Sequence, residues 1–151
     1  MTVVRRVDHI AIAVAHTDSA LKYFSDRLGL AVVHTQVNLE PHVRLTYLDA
    51  GNVYIQLVEA LDADSDAARF LATQGEGLHH ICFAVDDVVG AAAFSGGVSK
   101  DSVVLGTGRG RDSAFVPGSP PSGVRIEYTE FRSEEDVDGV SGWLPGDATG
   151  R

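Results

Sequence analysis

The chain has a single cysteine, Cys82, among its 151 residues. It cannot form an intrachain disulfide, and this is typical of proteins kept in a reducing compartment. No apolar run approaches the roughly 20 residues that a transmembrane helix needs. The first predicted strand follows Met1 closely and leaves no room for a signal peptide. We therefore expect a cytoplasmic protein with no membrane partner.

Basic residues are also scarce, since 12 Lys and Arg face 21 Asp and Glu and the net charge is -9. This balance argues against nucleic acid as a partner, because phosphate binding needs a basic stripe. It disfavours an anionic small molecule only mildly, because one local cluster can override net charge. The one candidate cluster contains Arg109 and Arg111 in the glycine-rich segment 106–111. That segment is either a solvated turn or a substrate-binding site.

Hydrophobic periodicity predicts the same element order twice. A helix with Thr17 or Asp18 as its N-cap is predicted to follow the first strand and to end at Gly29. The first module, residues 5–60, reads βαβββ with strands at 7–14, 30–37, 43–48 and 52–58. A connecting helix is predicted at 61–72. The second module, residues 77–130, has predicted strands at 78–85, 102–105, 113–116 and 124–129 and a helix at 87–94.

Residues 1–130 therefore form one predicted domain of two modules. From residue 131 to 151 the chain is acidic, glycine-rich and aperiodic. Such a composition cannot bury enough apolar surface to offset the entropy of ordering the chain. We expect this tail to be poorly ordered.

Two pairs of polar residues repeat at one offset. His9 and Gln56 are 47 residues apart, as are His80 and Glu127, and the second pair follows the first by 71 residues. In each module the histidine lies on the first strand and its partner on the last. The repeat suggests that one module is duplicated, with two potential metal ligands in each copy.

The histidine face of each first strand suggests the wall of a cavity, because alternate side chains share a face. His9 and His80 share theirs with small residues, namely Ala11 and Ala13 in the first copy and Cys82 and Ala84 in the second. Two imidazoles, an amide oxygen and a carboxylate make a mixed nitrogen and oxygen set. This set suits a divalent Co, Mn, Ni, Fe or Zn ion in an open site.

Residues 5–130 resemble the vicinal oxygen chelate superfamily of glyoxalases, bleomycin resistance proteins and dioxygenases, and within it most closely the methylmalonyl-CoA epimerase family. The ligand order is that of the epimerases, whereas glyoxalase I usually carries Glu at the position of Gln56. Further stretches agree, such as 28–30 and 75–81. The resemblance implies an α+β fold in which two tandem βαβββ modules form a curved eight-stranded mixed sheet around a metal-binding cleft. It also implies a homodimer.

The resemblance implies a metal-dependent isomerase, an epimerase that removes and returns a proton alpha to a carbonyl. Glu40 occupies the position of the family's catalytic base. The second acid or base is left open, with Glu127, His42 and a metal-bound water as alternatives. Arg109 and Arg111 are the predicted substrate-binding residues.

The chain departs from the epimerase pattern beside the predicted substrate pocket. Pro41 and His42 replace Gln-Gly, and the segment 115–119 lacks the His and the Lys that the family carries there. These changes suggest a small-molecule substrate other than methylmalonyl-CoA, such as a sugar-derived cyclic ketone of the valiolone type. Two alternative functions stay open, a metal-free protein that sequesters a small-molecule antibiotic and an iron-dependent dioxygenase of the same superfamily.

Overall fold

The computed structural model describes residues 4–132, so only Phe131 and Arg132 of the predicted tail are included. The strands are β1 (Val4–Ala13), β2 (Ala31–Leu39), β3 (His42–Asp49), β4 (Tyr54–Ala60), β5 (Gly77–Val85), β6 (Gly106–Gly108), β7 (Arg111–Phe115) and β8 (Arg125–Glu130). The helices are α1 (Thr17–Phe24), α2 (Asp66–Gln74) and α3 (Val88–Gly96), with short 3-10 helices at Lys100–Ser102 and Pro121–Gly123. The tandem βαβββ order predicted from the sequence is confirmed.

The eight strands form one sheet in the order β2-β3-β4-β1-β5-β8-β7-β6. The β5–β8 pair is parallel, while pairs such as β3–β4 and β7–β8 are antiparallel, so the sheet is mixed as predicted. The described chain divides into two compact units. The N-terminal unit comprises residues 10–79, and the C-terminal unit comprises residues 80–132 together with 4–9. The predicted domain boundaries, with modules at 5–60 and 77–130, stay a prediction.

Helix α1 is capped differently from the sequence prediction. Its N-cap residue is His16, which contributes no side-chain hydrogen bond, and Thr17 is the first helical residue. Glu59 on β4 instead accepts hydrogen bonds from the backbone N and the hydroxyl of Thr17, at 3.1 and 2.5 Å. The carboxylate of Glu59 therefore accepts a hydrogen bond from a backbone N–H in the first turn of the helix, where the N–H groups have no partner within the helix.

The predicted strand at 102–105 is wrong. The chain forms a 3-10 helix there and then an irregular stretch in which Val104 is 82% exposed. Strand β6 begins later, at Gly106, and pairs with β7 across a two-residue turn in which Arg109 and Gly110 have φ of 56° and 70°. Two consecutive residues with positive φ are typical of the tight turn whose twist matches the flanking strands.

Both faces of the N-terminal sheet are buried. Because neighbouring residues on a strand point to opposite faces, Leu48 and Tyr47 belong to different clusters. Leu48 and Leu57 pack beneath α1 with Val14. The opposite face is lined by Ala11, Val43, Leu45, Tyr47, Tyr54 and Val58. The C-terminal unit has its own core of Val85, Val88, Ala91, Ala92, Ala114 and Tyr128.

Across residues 4–132, none of the helices is long and apolar enough to cross a membrane.

Candidate metal centre

Three of the four predicted ligands converge in the C-terminal unit. Nε2 of His9 lies 3.3 Å from Nε2 of His80. Oε1 of Glu127 lies 3.2 Å from each of these two nitrogens. The three residues are 2%, 3% and 8% exposed respectively, so the triangle is almost sealed from water.

The pleat of the strands explains this convergence. His80 and Cys82 project from the same face of β5, and Cys82 is the register partner of Glu127 on the parallel strand β8. His80 and Glu127 therefore lie on one face, one step apart along the sheet. β1, which carries His9, is the other neighbour of β5. Phe115, the β7 partner of Glu127, closes the same face with its ring 4.8 Å from that of His80.

The carboxylate of Glu127 is stabilised in its charged form. Burial alone would raise its pKa, but the contacts with His80 and then His9 outweigh it and hold the pKa of Glu127 well below its usual range. Burial lowers the pKa of His80, although Glu127 opposes the shift. Burial also acts to lower the pKa of His9, but hydrogen bonds to Asp8 and Glu127 raise it overall. The centre thus holds one carboxylate charge between two imidazoles with opposite pKa shifts.

The donor set fits a divalent cation. Three groups that bind cations through lone pairs meet with separations of 3.2 to 3.3 Å. Bonds of about 2.1 Å would place neighbouring ligand atoms about 3.0 Å apart at right angles and about 3.4 Å apart at the tetrahedral angle. The observed edges lie between these values. Lone pairs this close repel one another unless a proton or a cation lies among them.

The fourth predicted ligand, Gln56, lies in the N-terminal unit, on β4 opposite Tyr47 of β3. Its amide nitrogen donates to the Tyr47 hydroxyl at 2.7 Å. Its oxygen is buried and has no hydrogen-bond partner among the described residues. A buried acceptor without a partner is costly, and a cation can satisfy it.

Comparison with known proteins identifies the family. The family model for the Glyoxalase/Bleomycin resistance protein/Dioxygenase superfamily matches residues 8–95. The protein named uncharacterized protein YqjC of Bacillus subtilis (strain 168) is 32% identical over 133 residues, which are 86% of this chain and 95% of YqjC. The chain belongs to the glyoxalase/bleomycin resistance/dioxygenase superfamily.

Relatives that match the chain include methylmalonyl-CoA epimerases. Human mitochondrial methylmalonyl-CoA epimerase is 36% identical over 85 residues, which are 55% of this chain and about half, 48%, of the human protein. A Streptomyces coelicolor methylmalonyl-CoA epimerase in complex with 2-nitronate-propionyl-CoA superimposes with a TM-score of 0.76 at 29% identity, covering 87% of this chain and 100% of that one. The predicted superfamily and its epimerase relatives are thus confirmed.

Glu40, the predicted base, is exposed in the turn between β2 and β3. His42 is half-buried at the start of β3, where it pairs with Leu39 across the hairpin. Tyr47, the register partner of Gln56, lies five residues further along β3 than His42. The role of Glu40 as the catalytic base stays a prediction.

Arg109 and Arg111, the predicted substrate-binding residues, are 9% and 6% exposed. Arg109 occupies the β6–β7 turn and donates a hydrogen bond from its guanidinium to the carboxylate of Asp8. Arg111 opens β7 on the other side of the turn. The two arginine side chains are therefore buried, although Gly106, Thr107 and Gly110 of the same segment are exposed. At least one of the two arginine charges is already paired within the protein.

Sequence reasoning missed Asp8, the most buried charged residue beside the centre, with an exposure of 0%. Its Oδ2 accepts a hydrogen bond from Nδ1 of His9 at 2.7 Å. Burial alone would raise the pKa of Asp8, but Arg109 and His9 hold it well below its usual range. Cys82 also lies close to Asp8 and His9, and burial raises the pKa of its thiol well above the usual value. The only signal in the sequence was an acid directly before the first predicted ligand.

Proposed function

We propose that this protein is a metal-dependent epimerase that removes and returns a proton alpha to a carbonyl. One observation carries the proposal, the buried triangle of His9, His80 and Glu127 with edges of 3.2 to 3.3 Å. The comparisons also support the proposal, because relatives that match the chain include methylmalonyl-CoA epimerases. Gln56 is the proposed fourth ligand, supported by its buried oxygen.

A divalent Co, Mn, Ni, Fe or Zn ion held by these residues would supply Lewis-acid chemistry, polarising a substrate carbonyl and stabilising the negative charge that develops when the alpha proton leaves. The protein contributes a preformed anionic ligand set, because Glu127 is ionised well below neutral pH. The three side chains are also buried away from water, and the ring of Phe115 packs against that of His80. Exclusion of water strengthens every electrostatic interaction in the site.

Glu40 is the proposed base, and its carboxylate would accept the alpha proton. It is exposed at the hairpin turn, so the bound substrate would have to cover it to keep the proton from exchanging freely with water. His42 would return a proton to the opposite face of the same carbon. Glu127 is the alternative, and its ionised carboxylate would first have to take up a proton from water. Epimerisation requires two groups on opposite faces, because one group acting alone returns the proton to the face it came from.

The substrate is proposed to be a small molecule other than methylmalonyl-CoA, such as a sugar-derived cyclic ketone. The differences at 41–42 and 115–119 support this, since they alter the predicted pocket wall and leave the triangle unchanged. A cytoplasmic homodimer is proposed as the working form. Light scattering on the purified protein tests the dimer.

Solvent deuterium exchange tests the epimerase proposal directly. Protein loaded with cobalt is incubated in D2O with methylmalonyl-CoA and, separately, with a valiolone-type cyclic ketone, and deuterium at the alpha carbon is followed by NMR. We expect exchange with the ketone, and its loss in Glu40→Gln. The matched control is Asp26→Asn, which alters an exposed acid of the same unit. No exchange with either substrate, or full exchange in Glu40→Gln, contradicts the activity or the base respectively.

A further inference from the structure

We propose that Asp8, held by Arg109, is a positioning residue that keeps the proton of His9 on Nδ1 and so presents the lone pair of Nε2 to the cation. The inference rests on the proposed cation site and adds two residues that do not touch the cation. A neutral imidazole carries one N–H, and its position decides which nitrogen can act as a ligand. Ligand histidines usually donate their other N–H to a carboxylate or a carbonyl.

The contacts of Asp8 suit this role. Its Oδ2 accepts from Nδ1 of His9 at 2.7 Å and also accepts from the guanidinium of Arg109. Its other oxygen lies 3.5 Å from Nη2 of Arg6. A fully buried carboxylate is tolerated when it is paired and hydrogen-bonded, and here two arginines and one imidazole surround it. The carboxylate is therefore held in place beside the His9 ring.

The other ring nitrogen of His9, Nε2, also faces groups that can accept a proton, so the position of the ring proton is not fixed by Nε2 alone. Nε2 faces Oε1 of Glu127 at 3.2 Å and Nε2 of His80 at 3.3 Å, and both can accept a proton. The ring thus has proton acceptors at both nitrogens, and a proton on Nε2 would block the ligand atom. The shorter hydrogen bond, at 2.7 Å, is the one to Asp8. It favours the tautomer that leaves Nε2 open.

The β6–β7 hairpin places the guanidinium of Arg109 beside Asp8 through an unusual backbone conformation. Arg109 has φ of 56°, in the left-handed region that residues with a side chain rarely adopt. Such turn positions usually hold Asn, Asp or Gly. Strained residues persist where the surrounding structure fixes them, and they concentrate at functional sites. The ion pair with Asp8 supplies that fixation, and it ties the β6–β7 turn to the ligand His9.

The experiment compares wild type with Asp8→Asn, since an amide can donate to Nδ1 and so favour the other tautomer. The readouts are the nitrogen chemical shifts of His9 in the metal-free protein, at a pH where the ring is neutral, and the cobalt affinity by competition with a chelator. We expect wild type to carry the proton on Nδ1, Asp8→Asn to shift it toward Nε2, and the affinity to fall about 10- to 100-fold. The matched control is Asp86→Asn, the same change at the exposed ion pair with Arg5.

Three results would overturn the proposal. The first is a wild-type His9 with its proton on Nε2, and this result is decisive even if Asp8→Asn does not fold. The second is a folded Asp8→Asn that keeps the wild-type tautomer and affinity. The third is an Arg109→Met protein with unchanged affinity, which removes the role of Arg109. None of these measurements uses a substrate, so a failure of the epimerase proposal would be seen separately, in the deuterium exchange.

Discussion

Nε2 of His9 and Nε2 of His80 lie 3.3 Å apart in the buried interior of the C-terminal unit. Two neutral imidazoles cannot both direct lone pairs at each other across this distance without repulsion, and the carboxylate of Glu127 adds a third set of lone pairs. A shared proton or a cation relieves the repulsion. The arrangement therefore favours binding of a positively charged species at this point.

Cation binding by His9 and His80 should stabilise the folded protein. A cation present at about 100 times its dissociation constant adds about 2.7 kcal/mol, which corresponds to a rise in Tm of roughly 5–10 °C for a chain of this size. Calorimetry with and without cobalt measures the rise. We expect it to vanish in His80→Ala and to persist in His16→Ala, which changes an exposed histidine. An equal rise in both variants would show that the cation binds elsewhere.

The hydrogen bonds from Thr17 to the carboxylate of Glu59 should make the free energy of unfolding depend on pH. Burial alone would raise the pKa of Glu59, but the hydrogen bonds from Thr17 and the charge of Arg44 lower it overall. A carboxyl group whose pKa is lower in the folded protein than in the unfolded chain stabilises the protein at pH values above the unfolded pKa, near 4.5. This stabilisation is lost as the pH falls through the pKa of the folded protein.

Glu59→Gln therefore should cost more stability at pH 7 than at pH 3. The loss at pH 7 should be about 1 kcal/mol, which is typical of a lost helix cap. Urea unfolding at the two pH values measures it, with Asp26→Asn, an exposed acid, as the control. A cost that is the same at both pH values would contradict the role of the charge.

Tyr47 should hold the amide of Gln56 in place. Its hydroxyl accepts from Gln56 Nε2 at 2.7 Å, and both side chains are buried. Tyr47→Phe leaves that N–H without its partner, at a cost of about 1–3 kcal/mol. Tyr23→Phe, a change at an exposed tyrosine, should cost much less. Equal unfolding midpoints in urea for the two variants would argue against this hydrogen bond.

The core beneath α1 should be sensitive to cavity formation. Leu57 is 0% exposed and packs with Leu48 and Val14. Leu57→Ala should cost about 2–5 kcal/mol, whereas Leu78→Ala, at a residue that is 51% exposed, should cost far less. Urea unfolding measures both. Similar losses in the two proteins would mean that the packing of this core is misassigned.

The fold and the three residues of the triangle were predictable because they follow from local periodicity. A strand has a period of two, so a histidine and a carboxylate repeated in two copies of one module predict a shared face. The structure brings His9, His80 and Glu127 together accordingly. Gln56 was predicted by the same repeat, and its role stays a prediction.

The features that sequence patterns did not predict depend on contacts between distant residues or on the backbone at one residue. Glu59 caps a helix that begins 42 residues before it. The strand expected at 102–105 is displaced to Gly106–Gly108, where it pairs with β7 across the two-residue turn at Arg109 and Gly110. Asp8 was missed because alternation places neighbouring residues on opposite faces, although its carboxylate reaches the ring of His9.

The most direct test of the cation site is calorimetric titration of metal-free protein with cobalt, carried out on wild type, Glu127→Gln and Glu130→Gln. The last variant is the matched control, because Glu130 is only partly buried at the end of the same strand. We predict one ion bound per chain in wild type and in Glu130→Gln, and binding at least tenfold weaker in Glu127→Gln. Absence of binding in wild type, or equal affinity in all three proteins, would contradict the proposed site.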